Sequence, residues 1–289
     1  MLLLTIACTG TPQDTQVPAQ EAAPDTGLEL SAPEWTAEDA EASWTAEDVR
    51  LALEQNAQLG FPQPESIRST FLTLVQEQGD ESCPPNGVNF PTCNCTAESG
   101  HSFKGISIYE EVTESSGDEL TFSHWAHVAE YLIVRPDGSR YEAGGSMLQQ
   151  ANISADRAEV SWKVRGSWWD QGAPWFWFSD RLSWLATAEG LRNPQGVSLT
   201  LDGGISTGRS LDFDEVVFQS DTSCPLEGQI SIQGDDGYWY RWQAGCDGCG
   251  PVAFQDGQEL GVICPVLDSW VNSATQLVPA LSPEEDSGL

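Results

Sequence analysis

Apolar residues at every second position recur from Ile106 to Cys264, and few folds accommodate that pattern. In a strand, successive side chains point to opposite faces, so this period marks ribbons with one dry and one wet side. Ile106, Ile108 and Val112 alternate with Ser107, Tyr109 and Glu111. Leu120, Phe122, His124, Ala126, Val128, Glu130, Leu132 and Val134 share one parity. Pro136-Asp137-Gly138-Ser139 then reads as a turn. Val160, Trp162 and Val164 alternate with polar partners, as do Val197, Leu199 and Leu201. Leu211 and Phe213 fall on one parity and Val216 and Phe218 on the other, which predicts a bulge near Asp214. Ile230 and Ile232 lead through Gly234-Asp235-Asp236-Gly237 into Tyr238–Trp242, a hairpin signal. Short strands with Gly/Asp turns and no helical period between them predict a mainly β domain over residues 83–268. It is either an antiparallel β-sandwich or a strongly curved sheet.

Ahead of it the period changes. Residues 44–80 predict a small αα-hairpin. Thr45 is placed to cap the first helix, Glu47 and Asp48 suit its positive end, and Gly60 stops it. Ile67, Phe71, Leu74 and Val75 give the second helix one apolar face, after Pro62 and Pro64. The pair reads as a packing element for the β domain. Residues 269–289 read as a C-terminal tail.

The opening Met1-Leu-Leu-Leu-Thr-Ile-Ala7-Cys8 is a short apolar run ending in a small residue and a cysteine. It reads as the remnant of a signal peptide (residues 1–7) followed by a lipid-accepting Cys8. The run is short for such a signal, which points to a start codon further upstream. Residues 8–43 are rich in Pro, Ala, Glu, Asp and Thr, so they cannot bury enough surface to offset their ordering entropy and read as an acidic disordered tether. Acyl chains on Cys8 would then anchor the chain. The formal balance of 12 basic and 44 acidic residues, −32, argues against a nucleic-acid partner. No run of about 18 apolar residues is present to make a spanning helix.

Eight cysteines occur. With Cys8 set aside, Cys83, Cys93, Cys95, Cys224, Cys246, Cys249 and Cys264 are disulfide candidates, an odd number. Cys246-Asp-Gly-Cys249, flanked by Cys224 and Cys264, also has the chemistry of a zinc site, but a structural zinc site usually pairs two such knuckles. Oxidised pairs fit an exported chain better.

The densest aromatic stretch is the one chemical signal that stands out. Trp168, Trp169, Trp175, Trp177 and Trp184, with Asp170 and Asp180, would suit a glycan platform: flat rings stack on sugars while carboxylates accept from hydroxyls. The competing reading is a core lid. Trp168 and Trp169 are adjacent, so in a strand they face opposite sides. The spacing of His124 and His127 would suit a metal only on a helix. Asp202, Asp212, Asp214 and the Asp235-Asp236 turn are the oxygen-rich sites for a Ca²⁺ ion, without EF-hand spacing. No cofactor motif and no nucleophile motif occurs, so no catalytic residue is assigned.

Four stretches share a wider resemblance: Leu4–Cys8, Gly79-Asp-Glu-Ser-Cys83-Pro84, Cys95-Thr-Ala-Glu-Ser-Gly100 and Cys246-Asp-Gly-Cys249-Gly250. In that order the chain resembles bacterial surface lipoproteins with an acidic tether and a Cys-stapled β body. The stretches cover little of the chain. The resemblance implies a place in the cell envelope, at the outer membrane or cell surface, and no reaction. The expectation is a lipid-anchored envelope protein with a structural or interaction role, its partner a glycan or another envelope protein. The alternatives are a carbohydrate-binding module using the Trp-rich loop, and a secreted hydrolase with an unrecognised carboxylate pair.

Overall fold

A computed structural model describes residues 41–81, 83, 89–90, 95–116, 120–171, 182–207, 209–220, 222–255 and 257–281. Cys8, Cys93, Trp175, Trp177, Asp180 and the tether up to residue 40 lie outside these residues. The chain begins with two helices, α1 (Ala46–Leu59) and α2 (Pro64–Gln78). Thr45 caps α1, as its sequence predicts, and the structure adds that Asp48 answers it in a reciprocal capping box. Gly60 closes α1 at φ 72°, and Pro64 sits in the first turn of α2.

The strands follow: β1 (Asn89–Phe90), β2 (Cys95–Thr96), β3 (Ser102–Ser116), β4 (Leu120–Val134), β5 (Arg140–Ile153), β6 (Ala158–Asp170) and β7 (Leu182–Asn193). Then come β8 (Gly196–Thr207), β9 (Ser210–Gln219), β10 (Leu226–Gln233), β11 (Trp239–Ala244), β12 (Gly250–Phe254) and β13 (Gln258–Ile263). From β3 onward each strand pairs antiparallel with the next, and β1 and β2 both pair with β3. The result is one thirteen-stranded antiparallel meander, so the sandwich alternative is not realised. Where the connections are described, short turns join neighbours in sequence, and none of them carries a strand over to a second layer.

Three helices cover one face of this sheet: α1, α2 and α3 (Asp268–Thr275). The region expected to be a tail is therefore part of the core as far as it is described. Trp270, Ala274, Leu277 and Val278 are buried. Trp162 Nε1 donates to the Leu277 carbonyl (3.3 Å), and Arg192 donates to the carbonyls of Pro279 (2.7 Å) and Val278 (3.1 Å). Phe61, in the α1–α2 turn, packs on Phe213, Phe218 and Trp270 with ring centroids 5.1–5.6 Å apart. Burying rings of this size contributes about 2–3 kcal/mol each. This explains why a short helical pair and a short C-terminal helix hold station on so large a sheet. Among the described residues no helix is long and apolar enough to cross a membrane.

On β4 the covered residues are Trp125, His127, Ala129, Tyr131 and Ile133. The opposite parity, from Phe122 to Val134, lies on the open face, with Val128 38% exposed. Alternation identified the strand, but aliphatic content did not identify its buried side. The aromatic side is the one the helices cover. The expected bulge is present: Phe213 pairs with Gly203 and Val216 with Leu201, so Asp214 and Glu215 stand against one residue. Glu215 has φ 47°, and the slip returns Val216 and Phe218 to the buried face. Beyond Ile108 the outer edge of β3 has no partner strand among the described residues, and exposed Glu110, Glu111 and Glu114 line it. Charge of this kind keeps an unpaired edge from templating aggregation.

Six cysteines are joined as Cys83–Cys95, Cys224–Cys246 and Cys249–Cys264. The zinc reading falls with this pairing, because sulfurs bonded to each other are not available as thiolate ligands. Cys224, Cys246 and Glu227 lie close together, but the two sulfurs are already spent on one disulfide. Closing loops of 12 to 22 residues stabilises the fold by about 3 kcal/mol per bridge in the chain-entropy account.

Candidate functional site on the open face of the sheet

Among the described residues, Trp168, Trp169, Trp184 and Asp170 do not come together as an exposed platform. Trp168 is opposite Leu182, and Trp184 is opposite Gly166 in the β6–β7 register. This places both indoles on the helix-covered face, 3% and 2% exposed. Asp170 is on that face too, in an ion pair with Arg135 (2.8 Å). Trp169 is turned to the open face, as the strand pleat requires, and is half-buried. The described part of the segment is therefore core on one side and a single indole on the other.

The histidines divide in the same way. His124 stands on the open face and His127 under α2, so the two cannot share a metal. The His127 ring lies 5.0 Å from Phe71. Burial, aided by the Arg68 charge, pushes its pKa down from 6.5 to about 4. An imidazole that resists protonation only when folded contributes its full stability above pH 6.5. That contribution drains away as the pH falls towards 4. The total is roughly 3 kcal/mol. Unfolding free energy measured between pH 7 and 4 is expected to fall less steeply for His127→Phe than for the wild type. Equal slopes would show that another group controls this window.

Of the aspartates named for Ca²⁺, Asp235 and Asp236 are engaged by protein partners. Asp202, Asp212 and Asp214 stand on the open face of β8 and β9. Burial, with the charges of Asp202 and Asp214, raises the pKa of Asp212. The three do not converge as one ligand set among the described residues. Asp235 pairs with Arg209 (2.9 Å). Asp236 accepts from Ser43 Oγ (2.5 Å) and Tyr240 OH (2.6 Å). The Tyr240 oxygen in turn accepts from the backbone of Ser43 and Trp44, and the Trp44 indole stacks on Tyr240 at 5.2 Å. This latch fixes Ser43, assigned to the tether by sequence, onto the β10–β11 turn.

Among the described residues, two hollows lie on the open face over β3 to β8, and a third, of about 360 Å³, lies over β10 to β13. The larger, about 490 Å³, crosses five strands and is lined by Phe122, Gln150, Asn152, Ser161, Glu189 and Thr200. Gln150, Ser161, Glu189 and Thr200 form one rung: Gln150 pairs with Ser161, Ser161 with Glu189, and Glu189 with Thr200. The smaller, about 350 Å³, opens where Gly144 has no side chain and is bordered by Lys104, Glu130 and Glu142. Sequence reading missed both. Each of these residues is an ordinary wet position on its own strand, and only the strand order brings them side by side. Compared with known protein families, curated proteins and solved structures, the chain matches none.

Proposed function

We propose that this is an exported cell-envelope protein, anchored by lipid on Cys8, that acts by binding through the open face of its sheet. The observation that carries the reading is the asymmetry of the sheet. Three helices and most of the buried aromatics occupy one face, while among the described residues no helix covers the other, which has hollows in it. Ligands dock in concave sites that hold a few convergent polar groups, and the open face offers hollows where such groups meet. The three disulfides support an oxidising compartment. The latch of Ser43 and Trp44 on Asp236 and Tyr240 supports a tethered body, since it grips the chain where the tether would enter.

Intact-mass spectrometry of protein extracted from its native membrane tests the anchor. The expected result is a chain that begins at Cys8 and carries the added mass of acyl groups. A chain with residues preceding Cys8 retained and an unmodified thiol would remove the anchor from this reading.

A further inference from the structure

We infer that the larger hollow, across β4 to β8, binds a neutral oligosaccharide. This rests on the reading of the open face as the binding surface and names its ligand class. Besides Ser198 and the Arg157–Glu159 pair, the lining offers two primary amides (Gln150, Asn152), two hydroxyls (Ser161, Thr200), one carboxylate (Glu189) and one ring (Phe122). Each amide both donates and accepts, a hydroxyl does the same, and a carboxylate only accepts. That is the complement of neighbouring sugar hydroxyls, while the Phe122 ring can cover the apolar C–H side of a pyranose.

The side chains of these five polar residues make no hydrogen bond or ion pair within the described protein, so their capacity is open to a ligand. Their neighbours contrast with them. Arg157, at the rim, is committed to Glu159 at 2.9 and 2.6 Å.

Other ligand classes fit less well. An anion would meet Glu189 and Glu159 with the adjacent guanidinium already engaged. A metal would find too few carboxylates gathered at one point. An apolar ligand would strand the amides without partners. Shape agrees with chemistry: four strand spacings of about 4.8 Å give a trough of about 19 Å running across the strands. That is long enough for several sugar rings in a row. Because all the lining residues except Arg157 sit on paired strands, the trough is preorganised.

The test is titration calorimetry on the purified full chain with neutral hexasaccharides of glucose, xylose, mannose and N-acetylglucosamine, and with polygalacturonate as an anionic control. At least one neutral sugar is expected to bind with Kd in the micromolar to millimolar range. Phe122→Ala and the pair Gln150→Ala with Asn152→Ala are each expected to weaken it by about tenfold or more. Their melting temperatures should stay at the wild-type value, because all three positions are on the uncovered face. Lys104→Ala, at the smaller hollow, should leave affinity unchanged. The inference is overturned by no binding of any neutral sugar, by binding of polygalacturonate alone, or by undiminished affinity in the Phe122 and Gln150/Asn152 variants. An acylated, exported chain without sugar binding would sink this inference and leave the anchored reading standing. A sugar-binding chain with an unmodified Cys8 would do the reverse.

Discussion

Gly145→Ala is expected to destabilise the protein by about 3–5 kcal/mol, while Gly144→Ala, one residue earlier, changes stability by less than about 1 kcal/mol. Gly145 and Gly166 face each other across β5 and β6. A Cβ on Gly145 would lie 2.2 Å from the Arg165 carbonyl oxygen and 2.4 Å from Gly166 Cα, and its φ is 145°. Both neighbours are backbone, so nothing can swing aside. The added atom must push β6 away from β5 in the middle of the sheet or twist the residue out of a conformation that favours glycine. Gly144 has no positive φ, and a Cβ there meets nothing within 4 Å. Urea denaturation of the two variants checks the contrast: the midpoint should fall sharply for Gly145→Ala and stay near wild type for Gly144→Ala, with a common slope. Similar midpoints would show that the strands are not in close contact here.

Asp170→Ala is expected to cost roughly 3–5 kcal/mol, the usual penalty for breaking a buried ion pair. The Asp170 side chain is 3% exposed and that of Arg135 is 14% exposed, at 2.8 Å. Removing the carboxylate leaves a guanidinium largely out of water with only the exposed Asp137 carboxylate near it. The pair joins the end of β6 to the Arg135–Ser139 turn, beside the bond from Gln171 N to the Arg140 carbonyl. The double change Asp170→Leu with Arg135→Met should recover much of the loss, because both the buried charge and its partner are gone. Thermal or chemical unfolding of the single and double variants decides the matter. A single variant as stable as wild type would mean that solvent reaches the pair freely.

Local pattern carried much of the fold. The N-cap at Thr45, the slip at Asp214–Glu215 and the Gly234–Gly237 turn were legible because each depends on residues within a few positions of one another. The separation of Trp168 from Trp169 was legible for the same reason, since the pleat alone dictates it. The role of Trp168, Trp184 and Asp170 was not. A tryptophan that stacks on sugar and one that fills a core have the same sequence signature, and only the position of α2, α3 and the neighbouring strands tells them apart. The apolar side chains from Phe122 to Val134 misdirect for a related reason: an aliphatic side chain on a wide sheet can remain uncovered when larger aromatic neighbours on the other face have claimed the helices.

From its sequence alone, this chain is committed to antiparallel ribbons, a capped helical pair ahead of them and a count of cysteines that suits oxidation. These follow from torsional preference, side-chain period and turn chemistry, all set within a short span of backbone. Tertiary structure decided that the ribbons form one meander and not two layers, which face the helices cover, and which sulfurs join. It also drew Gln150, Ser161, Glu189 and Thr200 into a single rung. Such contacts join residues far apart along the chain, and their free energy depends on what else is buried beside them, so no local window of sequence contains it.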